Sequence, residues 1–201
     1  MSVIRFLKSR FVKDSAERLD LKYKTGHWNN LRTINEFAHY SIIAGYFQFL
    51  KKGGSILDIG CGEGLLADRI GAFNYSIYSG FDFSRDAIDM AQSRMNGNTF
   101  FTVSDMNSHE PAQTFDAIVF NEVIYYNSNT LATLKRYSKF LSPQGIFIIS
   151  CFTSQNDKIN WNEIEPYFAL YDRTTVTNSI GSGWVIRVLL NEPPTNSPAT
   201  G

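Results

Sequence analysis

From Ser55 onward, short apolar runs that read as strands take turns with segments of helical spacing, and few folds accommodate such an alternation. SILDI precedes EGLLADRIGAF, SIYSGFD precedes a helix from Ser84 through Met95, TFFTV follows, FDAIVFN precedes TLATLKRYSKFL, and GIFIIS closes the series. Strands that are apolar throughout suit a parallel sheet, because the crossover helices cover both of its faces. Near the end, FALYDRTTVTNSI and GWVIRVLL flank GSG, the pattern of an antiparallel hairpin on a sheet edge. The expected fold is therefore α/β, Rossmann-like, with seven strands in a mostly parallel sheet, an antiparallel C-terminal hairpin and helices on both faces.

The part before the alternation reads as helical. From Thr33 the residues Ile34, Phe37, Ala38, Ile42, Tyr46 and Phe49 recur at three- and four-residue spacing, which predicts one buried face. Thr33 followed by Glu36 matches a capping box, and Lys51, Lys52, Gly53 and Gly54 supply a cationic last turn and a stop. The 201 residues fit one domain. Residues 1–52 form a helical cap, 53–191 the core, and 192–201, with three prolines and no apolar anchor, a disordered tail.

Composition narrows the partners. The 19 basic and 19 acidic residues cancel, so no field favours nucleic acid or a membrane surface. MSVIRFLKSRFVKD breaks its apolar residues with Arg5, Lys8 and Arg10 and lacks the uninterrupted stretch of a signal peptide or membrane span. Cys61 and Cys151 lie far apart, with no CxxC and no histidine at ligand spacing, so no metal site is read. A reducing, cytoplasmic setting and a monomer or homodimer are expected.

The chemistry is expected at SILDIGCGEG. A glycine-rich turn between a parallel strand and a helix lets a ligand approach the backbone closely, under helix N–H groups. No Lys follows, which excludes the phosphate loop GxxxxGK[ST]. Gly60, Gly62 and Gly64 are spaced GxGxG rather than the dinucleotide GxGxxG, a difference too small to decide alone.

LDIGCGEG, YSGFDFS with Asp82 near the end of strand two, VSDM with Asp105 after strand three, FDAIVFNEVIYY and LSPQGIFIIS together resemble the class I S-adenosylmethionine-dependent methyltransferases of small-molecule type, over roughly Ser55 to Ser150. The resemblance implies S-adenosyl-L-methionine as cofactor. Asp58, Gly60, Cys61 and Gly62 would hold its methionine end, and Asp82 both ribose hydroxyls. Asp105 would accept from the adenine amino group, with the Met106 amide meeting a ring nitrogen, Phe83 covering the base, and Asn121 completing the set. Gln144 stands where that family often has glycine, although Pro143 and Gly145 still suit a type I turn. Asp116 is expected to cap the entry to strand four.

Acceptor groups should lie beyond the carboxyl ends of the strands, where NEVIYY follows strand four. Glu122 is the first candidate for a base or for binding a cationic amine, and Tyr125 and Tyr126 are candidates to line an acceptor pocket. His27, in the irregular LKYKTGHWNN, is the second candidate base. His39, inside a helix, reads as structural, and His109 as a surface loop residue. The missing [DN]PP[YF] pattern argues against a nucleic-acid base as acceptor. The expected reaction is methyl transfer to an oxygen or nitrogen of a small molecule such as a sugar, lipid precursor or secondary metabolite. A catalytically silent cofactor-binding subunit is the alternative, and a nicotinamide-dependent oxidoreductase is disfavoured.

Overall fold

The computed structural model describes residues 16–193. MSVIRFLKSRFVKD and almost all of the expected tail lie outside them. The strands are β1 Ser55–Ile59, β2 Ile77–Asp82, β3 Thr99–Val103, β4 Phe115–Asn121, β5 Leu141–Phe152, β6 Leu170–Thr177 and β7 Gly183–Leu190. They form one sheet in the order β3-β2-β1-β4-β5-β7-β6. The first five run parallel, and β7 inserts antiparallel between β5 and β6. Strand order reverses between β1 and β4, which opens a crevice above the carboxyl ends of these strands.

The helices are α1 over residues 16–24, α2 Ile34–Leu50, α3 Leu65–Ile70, α4 Arg85–Ala91, α5 Thr130–Tyr137, α6 Thr153–Asn156 and α7 Trp161–Ile164. Alternate residues of each central strand supply the two faces. Ile56, Tyr78, Val119, Ile148 and Ile186 pack with residues of α2, α3 and α4. Leu57, Ile59, Ile118, Phe120, Phe147 and Ile149 pack with α5 and α7. Each such large apolar side chain contributes about 1.5–3 kcal/mol on burial. Asp58 shares its strand face with Ile56, so its carboxyl points to the α2 side.

Two local expectations are corrected. Helix α2 buries His39, Tyr40, Ile43, Ala44 and Phe47, while Ile34 and Phe49 are 77% and 84% exposed. The sequence IIAGYFQFL is apolar almost all round, so no polar stripe marks which phase faces the sheet. The capping box is also absent. Thr33 Oγ1 donates back to the Asn30 carbonyl at 2.7 Å, and Glu36 accepts from Asn30 Nδ2 at 3.5 Å. A short 3-10 turn, Asn29–Arg32, precedes the helix, and donation to its Asn30 carbonyl directs the Thr33 hydroxyl back to the turn, where it makes no cap bond to the helix.

The turn into the apolar part of β5 differs as well. Gln144 has φ 64°, the left-handed value of the third position of a type II turn rather than type I. Asp116 does more than cap a strand. It accepts from Ser55 N at 2.8 Å, Ser55 Oγ at 2.9 Å and Ser142 Oγ at 2.7 Å, and so ties the starts of β1, β4 and β5 together.

Candidate active site

Strand β1 ends at Ile59 and the chain turns through Gly60 at φ 68° and Gly62 at φ 54°, conformations that glycine adopts without strain. Close neighbours add a second requirement. A Cβ on Gly60 would lie 2.6 Å from Val123 Cγ2, and one on Gly62 would lie 2.9 Å from the Tyr23 hydroxyl. The loop is thus held between the segment leaving β4 and helix α1. Above it lies a cavity of about 700 Å³.

The expected cofactor residues all line this cavity, including Phe83 just after β2 and Cys61 in the loop. Asp82 accepts from the Gly62 amide at 2.9 Å and the Ser84 amide at 2.8 Å. Burial raises its pKa against the pull of those amides. Asp58 is 1% exposed and accepts from the Tyr78 hydroxyl, while its Oδ1 has no hydrogen-bond partner. Burial pushes it up to about 7. Burial likewise raises the Cys61 thiol, which suits a small neutral loop residue rather than a thiolate. Asp105 accepts from Asn107 N at 2.8 Å, and the Met106 carbonyl accepts from the Tyr137 hydroxyl at 2.8 Å. Asn121 Oδ1 is buried without a partner.

Glu122, at φ 58°, also lines the cavity. Few non-glycine residues adopt that value, and here three donors fix the carboxylate. They are Phe152 N at 2.9 Å, Tyr125 Oη at 3.2 Å and Ser150 Oγ at 3.3 Å. Burial outweighs these bonds and raises Glu122 to about 7. Tyr125 and Tyr126 also line the space.

His27 is not brought to this site. It is exposed, with its ring edge-on to Trp28 at 4.9 Å, and it does not line the cavity. Its neighbours in LKYKTGHWNN do. Tyr23, Trp28 and Asn30 form part of the wall. His39 is the histidine of the cavity wall. It is 1% exposed, stacks on Trp184 at 4.8 Å, and places Nδ1 3.6 Å from Glu36 Oε2. Neither ring nitrogen has a hydrogen-bond partner, and burial pushes its pKa down to about 4. His109 is not a free surface residue either. Its ring stacks on Phe81 at 4.0 Å, and its Nδ1 lies 3.0 Å from Ser104 Oγ.

Sequence reading missed Glu36 and Trp184 as wall residues, and also the pairing of Arg32 with the buried carboxylate of Glu63. The Arg32 guanidinium grips both Glu63 oxygens, and that contact raises Arg32 further. It fastens the turn before α2 to the glycine loop. Among the described residues no three His, Cys, Asp or Glu side chains gather at metal-binding distance.

A mostly parallel open sheet with a glycine loop after β1, a carboxylate ending β2 and a crevice at the strand reversal has the architecture of a ligand-binding α/β fold. The chain belongs to the methyltransferase domain family, whose model matches residues 32–177. An uncharacterized methyltransferase of Mycobacterium tuberculosis is 30% identical over 101 residues, covering 49% of this chain and 51% of that protein. A ubiquinone biosynthesis O-methyltransferase of Rickettsia akari is 28% identical over 134 residues, covering 63% of this chain and 53% of its own. The chain thus spans about half the length of these curated relatives. Among solved structures, N-methyltransferase NodS from Bradyrhizobium japonicum, in complex with S-adenosylhomocysteine, aligns with a TM-score of 0.71 at 17% identity. The alignment covers 82% of this chain and 91% of that one.

Proposed function

We propose that the chain binds S-adenosylmethionine and transfers its methyl group to an oxygen or nitrogen of a small molecule. The observation that carries this reading is the gathering of Asp58, the glycine loop, Asp82, Phe83, Asp105 and Met106 around one cavity. These residues fit the cofactor's parts. The orphaned Asp58 Oδ1 offers an acceptor near the loop that would cradle an aminocarboxylate, and Asp82 keeps lone pairs for two ribose hydroxyls. Asp105 and the Met106 backbone provide an acceptor and a donor for an adenine edge beside Phe83. The curated relatives and the SAH-bound neighbour support the same ligand.

S-adenosylmethionine supplies a methyl carbon already activated by positive sulfur. The protein's own work is alignment of the acceptor, which can lower a barrier by about 7–11 kcal/mol, together with removal of the acceptor's proton. Glu122 is our candidate for the second task, and three donors fix its carboxylate at the cavity wall. Tyr125 orients it through its hydroxyl. The test is transfer of isotopically labelled methyl from S-adenosylmethionine into a small-molecule pool by the purified chain. Appearance of a labelled small product is expected, and label confined to protein or nucleic acid would contradict the proposal.

A further inference from the structure

Among the described residues the acceptor side of the cavity is acidic, and the basic group beside it, His39 with Nδ1 3.6 Å from Glu36 Oε2, is kept neutral by burial, which pushes its pKa down to about 4. Two carboxylates from separate elements border it, Glu36 on α2 and Glu122 after β4, and no Lys or Arg is among the described residues lining the cavity. Glu63 is paired with Arg32, and Asp58, Asp82 and Asp105 are the carboxylates that the reading above gives to the cofactor. The two acceptor-side groups sense each other. Burial raises Glu122, with Glu36 adding to the rise, and burial followed by Asp58, Glu36, Glu122 and Glu63 raises the phenol of Tyr40. Two carboxylates in a partly dry cavity without a cation repel one another and resist ionisation.

Rings complete the wall. Tyr40, Phe152, Trp184, Trp28 and Tyr125 all border the same space. Aromatic faces attract cations and are indifferent or repulsive to anions. A carboxylate or phosphate acceptor would add like charge and would meet no guanidinium or ammonium group among the described lining residues. A neutral alcohol would leave the carboxylates uncompensated.

Resting on the methyltransferase reading above, we propose that the acceptor is an amine that enters as its ammonium ion and is held between Glu36 and Glu122 against the aromatic wall. The ammonium gives one proton to the Glu122 carboxylate. Its freed lone pair then forms the N–C bond to the donor's methyl as the C–S bond breaks, and that electron pair stays on sulfur. The product leaves as a methylated ammonium ion, and Glu122 returns its proton to water.

The test uses the full chain saturated with S-adenosylhomocysteine and three matched probes, 2-phenylethylamine, 2-phenylethanol and 3-phenylpropanoate, with binding followed by ligand-observed NMR. The amine should bind at least ten-fold more tightly than the alcohol, with the carboxylate weakest. Glu36→Gln and Glu122→Gln, singly and together, should erase most of that preference while leaving alcohol binding and S-adenosylhomocysteine affinity within two-fold, the latter also confirming that the variants fold. Equal or tighter binding of the carboxylate or alcohol, no measurable preference, or a preference untouched in every variant would overturn the proposal. Failure of the wild-type chain to bind S-adenosylhomocysteine at all would overturn the underlying reading, a separate outcome seen before any probe is added.

Discussion

Glu122 combines a left-handed backbone with a largely buried carboxylate. Its left-handed backbone turns the carboxylate toward Phe152 N, Tyr125 Oη and Ser150 Oγ, and burial still lifts its pKa from the ordinary 4.5 to about 7. Between these values the folded chain holds a proton that the unfolded chain has lost, so stability falls as pH rises through the window. Replacement by glutamine should remove that decline. Thermal melts of wild type and Glu122→Gln between pH 4.5 and 7.5 should diverge in the variant's favour by on the order of 2–3 kcal/mol at the upper end. If Glu122 is the base, wild-type turnover should also rise with pH to a plateau above about 7, and the variant should lose that limb along with about 10²-fold or more of the rate. Parallel melts and coincident pH profiles would remove Glu122 from both roles. The sequence made Glu122 legible because it follows strand four directly, at the carboxyl end where such sites lie. It did not reveal Glu36 or Trp184 as lining the same cavity as Glu122, because these come from α2 and β7 and meet only once the sheet is assembled.

At the scale of elements, strand identity was legible and helix orientation was not. SILDI, TFFTV, FDAIVFN and GWVIRVLL correspond residue for residue to β1, β3, β4 and β7. Such runs are short, apolar and bounded by turn residues, which leaves little freedom in placing them. Helix α2 offered several apolar stripes, and packing against α3 and the sheet selected the one through Tyr40, Ile43 and Phe47. The anchor at Asp116 belongs to this scale, since one carboxylate joins three strands. Burial would raise its pKa, but the Ser55 and Ser142 donors and Lys51 more than offset this, and it lies below the usual carboxylate value. Its contribution is therefore present above the ordinary carboxylate range and is lost as pH falls through the lowered value. Asp116→Ala should destabilise the fold by about 2 kcal/mol at neutral pH, measured by urea denaturation, with the difference from wild type shrinking in acid. Equal midpoints at pH 7 would show that the strand starts are held by other contacts.

For the whole molecule, the cavity is completed only because the N-terminal segment folds back over the sheet. Tyr23 meets Gly62, Arg32 grips Glu63, and α2 carries Glu36, His39 and Tyr40 to the wall. The ends of β1, β2, β3 and β4 bring the residues of the ordered motifs to this cavity, and α1, α2, β5 and β7 bring the rest of its wall. The first set could be collected from motifs in chain order, whereas the second comes from segments that meet only in the assembled fold. Among the described residues no helix is long and apolar enough to cross a membrane. The central claim is that this cavity seats S-adenosylmethionine, with Asp82 on its ribose. Calorimetric titration with S-adenosylhomocysteine tests it most directly. One site per chain is predicted, weakened by about 1.5–3 kcal/mol in Asp82→Ala. Absence of binding, tighter binding of a nicotinamide dinucleotide, or an Asp82→Ala affinity equal to wild type would contradict it.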